Sequence, residues 1–189
     1  MKLVILDRDG TINLDSEHFI KSPQEWTPLP GALEAIARLN HAGWHIVIAS
    51  NQSGLGRGLF DVASLNAMHA KMHKMLSAQG GRIDAVFYCP HSADDGCHCR
   101  KPLPGLFEQI GERFGVDLKG VPAVGDGLRD LQAGVAVGCE PHLVLTGKGA
   151  AYRGRPLPPE FPTGTQVHED LGAFADALIA RAAAAKPVA

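Results

Sequence analysis

A chain of 189 residues with 45% hydrophobic and 20% charged side chains can bury a substantial core, which excludes a disordered or fibrous protein. The formal net charge of −2 leaves no basic face for nucleic acid, so an anionic ligand would need a metal or a few local cations. One domain spanning residues 1–189 is the default expectation, with no linker long enough to divide it and no internal repeat.

Leu3 to Leu6 form a continuous apolar run containing β-branched residues, the pattern of a short strand buried on both faces. The run is broken at once by Asp7-Arg8-Asp9, too early for a signal peptide or a membrane span, so a cytosolic protein without a membrane partner is expected. Side chains two apart in extended chain point the same way, so Asp7 and Asp9 can converge where this strand ends. Gly10 lets the backbone turn and leaves nearby N–H groups open to an anion, which makes the stretch a candidate phosphoryl-transfer site. Taken alone, D-x-D-G is more often a turn.

Residues 14–30 are polar and contain proline, so Asp15, Ser16, Glu17 and His18 lie on a loop leaving the candidate site. Leu33, Ile36, Ala37 and Leu39 have helical spacing, with a stop at 41–43, and 44–49 reads as a second buried strand. It ends in Ser50-Asn51-Gln52-Ser53-Gly54, again polar groups and glycine just past a strand. Asp61 is a good N-cap for a helix through about Gln79, whose Met68, Met72 and Met75 are expected in the core.

A third strand over 83–88 leads directly into Cys89-Pro90-His91 and, after five further residues, Cys97-His98-Cys99-Arg100-Lys101-Pro102. In a reducing compartment such clustered cysteines point to a metal rather than to disulfides, whereas the isolated Cys139 reads as a small buried hydrophobe. A helix over 106–114 and a fourth strand over 121–124 follow, ending in Gly125-Asp126-Gly127-Leu128-Arg129-Asp130. Another helix then carries Leu131 and Val135, and 142–145 makes a fifth strand. Residues 147–165 are rich in proline and glycine and read as irregular surface with solvated Lys148, Arg153 and Arg155; 171–184 reads as a last helix and 185–189 as a disordered tail. Strands alternating with helices through short links predict an α/β fold, a Rossmann-like three-layer sandwich with a mainly parallel sheet. Ligands bind such sheets at the carboxyl ends of strands, where all the polar stretches above fall.

Four of these stretches, Asp7-Arg8-Asp9-Gly10-Thr11, Ser50-Asn51-Gln52, Arg100-Lys101-Pro102 and Gly125 to Asp130, match one family in order and place. The chain resembles the haloacid dehalogenase superfamily of phosphatases. With Asn13, the Ser-Gly-Leu-Gly-Arg-Gly stretch at 53–58 and the Cys-x-His and Cys-x-Cys pairs, it is similar to the subgroup of D-glycero-D-manno-heptose 1,7-bisphosphate 7-phosphatases. The resemblance covers nearly all of residues 1–146 and implies a capless fold with a zinc-binding loop over 89–99.

It implies that Asp7 is the nucleophile, forming an aspartyl-phosphate, and that Asp9 is the general acid and then the base. That division of labour suits the chemistry, because a sugar alkoxide leaves poorly without a proton. Mg²⁺ is implied at Asp7, Asp126 and the main-chain carbonyl of Asp9, and Zn²⁺ at Cys89, His91, Cys97 and Cys99, with His98 the competing ligand. Lys101 and Ser50 are implied to stabilise the phosphoryl group, and Arg100 to bind the substrate's other phosphate. Asp15, Ser16, Glu17, His18, Asn51, Gln52, Ser53, Arg57, Arg100, Lys101 and Gly127 are the expected substrate contacts. The implied substrate is a small sugar bisphosphate.

Three other readings compete. A histidinol-phosphate phosphatase would share the motifs, but its substrate's ammonium and imidazole fit poorly with a cationic Arg100. A zinc-stabilised binding module would not need Asp7, Asp9, Lys101 and Asp126 together. A phosphotransferase would differ only in the acceptor that reaches the aspartyl-phosphate. With no apolar heptad and no exposed strand pattern, a monomer is expected.

Overall fold

In the computed structural model, which describes residues 1–185, β1 (Leu3–Leu6) is buried along its whole length. The tail expected over 185–189 lies, from residue 186 on, outside the described residues. After a long connection come α1 (Ala32–His41), β2 (His45–Asn51), a single turn α2 (Ser53–Gly56), α3 (Val62–Ala78) and β3 (Ala85–Cys89). The second half holds α4 (Gly105–Phe114), β4 (Pro122–Gly125), α5 (Leu128–Val135), β5 (Glu140–Val144), β6 (Gln166–His168) and α6 (Leu171–Ala184). The helix starts follow local chemistry: Asp61 accepts from the Ser64 N–H at 2.8 Å and Asp170 from Ala173 at 2.8 Å, satisfying donors the first turn leaves open.

The strands form one sheet in the order β3-β2-β1-β4-β5-β6, and every neighbouring pair is parallel. Alternate residues of β1 face opposite layers, as the period of two requires. Val4 and Leu6 meet a core formed with α1, α3 and α6, which includes Ile36, Leu65, Met68, Met72 and Phe174. Leu3 and Ile5 meet a second core with Leu106, Phe107 and Ile110 of α4. Each such side chain, fully buried, contributes about 1.5–3 kcal/mol. Helices therefore cover both faces, giving the three layers expected.

Two segments differ from the sequence expectation. Gln166–His168 adds a short sixth strand at the sheet edge, held by backbone pairing to β5 rather than by an apolar run. Within 147–165, a 3-10 turn over Gly147–Tyr152 and the Tyr152 and Phe161 rings, 5.0 Å apart edge to face, cover a third apolar cluster with Leu131, Leu143 and Leu145. The segment is irregular and mostly exposed, as expected, but it also packs onto that cluster through the buried Phe161 and the half-buried Tyr152 and Leu157. No helix among the described residues is long and apolar enough to cross a membrane.

The strand order reverses between β1 and β4. Leu6 is in register with Val124, and the Asp7 N–H continues the pairing to the Val124 carbonyl at 2.8 Å. Asp7 and Asp126 therefore leave the sheet side by side at its switch point, where parallel sheets bind ligands.

Candidate active site

Asp7, Asp126 and Asp130 place carboxylate oxygens within 4.8 Å of one another. Lys101 is 2% exposed, and its ammonium lies 2.7 Å from Asp7 Oδ1, 2.7 Å from Asp130 Oδ1 and 2.7 Å from the Ala49 carbonyl. An ammonium has three donors, so Lys101 is saturated and fixed in place. Burial by itself would lower its pKa, but the Asp130 and Asp7 carboxylates outweigh that and hold the ammonium above the usual lysine range. Burial, then Asp130, raises Asp7 well above the usual carboxylate range, and the same two causes push Asp126 up to about 7. Three carboxylates against one ammonium leave two negative charges uncompensated when all are ionised, a set of hard oxygen donors that fits a divalent cation.

Backbone packing holds these groups close. Asp126 Oδ2 accepts from the Lys148 N–H at 2.8 Å, and Asp130, in the first turn of α5, accepts from the Gly127 N–H at 3.1 Å. A Cβ on Gly10, whose φ is +83°, would stand 2.0 Å from Asp126 Oδ2, and one on Gly147 (φ +51°) 2.2 Å from the same oxygen. Glycine is required at both for the carboxylate to fit.

Asp9 is turned to a different set of partners. Its Oδ1 accepts from Arg8 Nε at 2.8 Å and Asn13 Nδ2 at 2.8 Å, and its Oδ2 from Gln52 Nε2 at 3.2 Å. Gln52 also donates to Ser50 Oγ at 2.8 Å, which links the two expected phosphate-handling groups. The Asp9 carboxylate is not among the three clustered ones.

The remaining expected substrate residues divide. Asn51 exchanges two hydrogen bonds with the Lys101 backbone, at 3.0 and 3.1 Å, and so anchors the lysine's chain. Ser53 is buried at the start of α2. Asp15, Ser16, Glu17 and His18 are exposed on the 14–30 loop, and the exposed Arg57 lies 5.7 Å from the Phe19 ring of that loop. Lys71 ties the far part of the loop to α3 by donating to the Pro23 and Trp26 carbonyls, both at 2.7 Å. Gly127 is half-buried beside Asp126. Sequence reasoning missed Asp130 as the partner of Lys101; it read Lys148 as solvated, and that side chain is 77% exposed, with its ammonium 3.6 Å from Asp15, while the backbone N–H holds Asp126. The one signal for Asp130 was its place a helical turn beyond Asp126.

Cys89, His91, Cys97 and Cys99 bring ligand atoms within 4.8 Å of one another. Cys89 Sγ is 3.7 Å from Cys97 Sγ, far too long for a disulfide bond of about 2.05 Å. It suits two sulfurs each about 2.3 Å from a tetrahedral metal. His91 Nδ1 lies 3.3 Å from Cys99 Sγ and 3.5 Å from Cys89 Sγ. Burial pushes the Cys89 thiol up to about 12, so a thiolate there calls for a bound cation. His98 points away to Glu108 at 2.8 Å, which removes the competing ligand. The cluster can hold a metal directly before Arg100 and Lys101; Arg100 Nη1 lies 3.5 Å from the His91 carbonyl.

The chain is similar to known proteins over most of its length. Residues 13–138 match the model of the haloacid dehalogenase-like hydrolases. The D-glycero-beta-D-manno-heptose-1,7-bisphosphate 7-phosphatase of Bordetella bronchiseptica is 59% identical over 182 residues, covering 96% of this chain and 100% of the relative. That of Pseudomonas aeruginosa is 54% identical, covering 94% of this chain and 97% of the relative. A crystal structure of the B. bronchiseptica D,D-heptose 1,7-bisphosphate phosphatase, complexed with magnesium and phosphate, superposes with a TM-score of 0.91 at 58% identity, covering 96% of this chain and 99% of that one. Carboxylates gathered at a switch point, a saturated lysine facing them and these matches lead to one conclusion: the chain belongs to the haloacid dehalogenase-like hydrolases.

Proposed function

We propose that this chain is a single-domain, Mg²⁺-dependent phosphatase that removes the C7 phosphate of D-glycero-β-D-manno-heptose 1,7-bisphosphate. The observation that carries the reading is the Asp7–Lys101–Asp126–Asp130 cluster, in a chain 59% identical to a relative of that name. Asp7 attacks phosphorus: its carboxylate oxygen bonds to phosphorus as the bond to the sugar oxygen breaks, and Asp9 gives that oxygen a proton. Asp9 then takes a proton from water as the water oxygen attacks phosphorus and the bond to Asp7 breaks, which releases phosphate. Lys101 fixes one oxygen of Asp7, so the carboxylate cannot rotate, and it carries positive charge to the phosphoryl group. Asp130 has partners for both oxygens and serves to hold Lys101. Asp7, Asp126 and the Asp9 carbonyl would hold Mg²⁺, which supplies the charge that lets a carboxylate approach a phosphate dianion.

Arg100, half-buried beside the cysteine cluster, would recognise the second phosphate, with Arg57 and residues 15–18 serving the sugar. Cys89, His91, Cys97 and Cys99 would hold Zn²⁺, which would fix the chain that carries Arg100 and Lys101. The site is that of a cytoplasmic monomer acting on a small molecule. The relatives' names favour the heptose substrate over histidinol phosphate.

Phosphate release from the α and β heptose 1,7-bisphosphates, fructose 1,6-bisphosphate and histidinol phosphate tests the reading. The β heptose substrate should give the highest kcat/KM; a preference for histidinol phosphate would overturn the assignment.

Mg²⁺ affinity should depend on pH through Asp126. Its pKa of about 7 in the metal-free protein means that below this value a bound proton competes with the cation, whereas above it the carboxylate is already ionised. Because Asp7 is raised too, apparent affinity should level off only where both carboxylates are ionised and fall at least roughly tenfold per unit below pH 7, in calorimetric titrations at several pH values. A flat profile down to pH 5 would show that Asp126 does not contact the metal.

A further inference from the structure

Arg8 takes no part in the chemistry above, yet it is 0% exposed and carries its guanidinium into the site's floor. Nε donates to Asp9 Oδ1 at 2.8 Å, and Nη2 stands 2.8 Å from the same oxygen but off the hydrogen-bond axis, adding charge rather than a directed bond. Nη1 lies 3.2 Å from Nε2 of His69 on α3. Arginine has no acceptor, so the direction of that bond is fixed: Arg8 donates and His69 Nε2 presents its lone pair. Burial, then the Arg8 charge, pushes the His69 pKa down to about 4, which keeps the ring neutral and able to accept.

We infer that His69 and Arg8 are positioning residues for the proton transfer: His69 fixes Arg8, and Arg8 with Asn13 locks Asp9 Oδ1, leaving Oδ2 as the oxygen that exchanges the proton. Oδ1 is crowded by Arg8 Nε, Arg8 Nη2 and Asn13 Nδ2, whereas Oδ2 has Gln52 alone and keeps a free lone pair. The proton leaves Oδ2 for the sugar oxygen as the sugar–phosphorus bond breaks, and returns to it from the attacking water. His69 is 9% exposed and lies behind Arg8, so it acts through Arg8 without touching substrate. The inference rests on the assignment of Asp9 as acid and base.

The test compares wild type, His69→Gln and His69→Leu on two substrates with saturating Mg²⁺. A sugar phosphate needs a proton on its leaving oxygen; p-nitrophenyl phosphate does not, because nitrophenolate leaves unaided. Glutamine can place its amide oxygen near the Nε2 position, and leucine offers no acceptor. His69→Leu should lower kcat on the heptose bisphosphate by about ten- to hundredfold, the effect of a misplaced catalytic group, with KM within about twofold. It should keep the rapid-mixing burst of nitrophenol, followed by slow turnover because Asp9 must still activate water. His69→Gln should restore both rates. Near-normal kcat in His69→Leu, loss of the burst together with the sugar-phosphate activity, or no rescue by glutamine would each overturn the inference. His69→Asn, polar but too short to reach Arg8, is read the same way if the leucine variant does not fold. Wild type that releases nitrophenol yet leaves the heptose bisphosphate intact would sink the substrate assignment alone, and a simple alkyl phosphate then replaces the sugar in the same comparison.

Discussion

Asp7→Asn should lower kcat by at least about 10⁴-fold while leaving the metal-free protein no less stable than wild type. The loss follows from removing the atom that bonds to phosphorus; an amide oxygen at the same place is a poor nucleophile, and no neighbouring carboxylate replaces it, since Asp9 and Asp130 are held by other partners. The stability follows from the electrostatics. Burial, Asp130 and Asp126 all disfavour the charged form of Asp7, and Lys101 keeps Asp130 and the Ala49 carbonyl when Asp7 is neutralised. Wild type should gain about 2.7 kcal/mol from Mg²⁺ at a hundred times its dissociation constant. For a chain of this size that is roughly 5–11 °C in Tm, and the variant should gain clearly less. Phosphate release and thermal unfolding with and without Mg²⁺ measure both halves. Activity within about tenfold of wild type would move the nucleophile away from Asp7.

Stripping the metal from the cysteine cluster, or making Cys97→Ser, should cost on the order of 10 °C in Tm and at least about tenfold in kcat/KM. With no cation, three thiols and an imidazole must share a space in which burial already opposes a thiolate at Cys89. The loop then loses its closure, and the chain carrying Lys101 depends on what remains: the ammonium's contacts to Asp7, Asp130 and the Ala49 carbonyl, the Asn51 amide on the Lys101 backbone and the Gly105 N–H on the His98 carbonyl at 3.1 Å. Elemental analysis should find one zinc per chain in wild type. Metal-free wild-type protein with unchanged Tm and kinetics would show that the loop stands without a metal.

The parts of this molecule that were legible in its sequence are those where one residue pattern has one structural solution. Leu3–Leu6, 44–49 and 121–124 read as buried parallel strands because both faces are apolar, and strands lie there, over Leu3–Leu6, His45–Asn51 and Pro122–Gly125. Asp7, Ser50 and Asp126 follow as residues just past, or at the end of, such strands. β6 was not legible: it is three residues long, largely exposed, and owes its existence to an open edge on β5 that no local pattern reports. Asp130 belonged to the polar stretch that ends the fourth strand, but its role was not legible, because its partner Lys101 lies on another element and their 2.7 Å contact is tertiary. Proline and glycine marked 147–165 as surface, which most of it is, but the inward packing of Tyr152 and Phe161 was not legible, because two rings with no regular spacing between them meet only in the fold.

The pairing of β1 with β4 also has a history in time. Asp7 and Asp126 are neighbours in the folded sheet but 126 − 7 = 119 residues apart in the chain, so a ribosome adding about 5–20 residues per second makes them about 6–24 s apart. During that interval β1 can pair with β2, but its other edge and much of its apolar surface have no partner. The nascent chain is therefore most prone to stick to its neighbours just before its second carboxylate emerges. A fragment ending at residue 120 should aggregate and bind no Mg²⁺, whereas the full chain, under the same light-scattering assay, should stay dispersed. The register that gives the finished enzyme a rigid centre leaves the half-made one dependent on speed, or on a chaperone, to reach it.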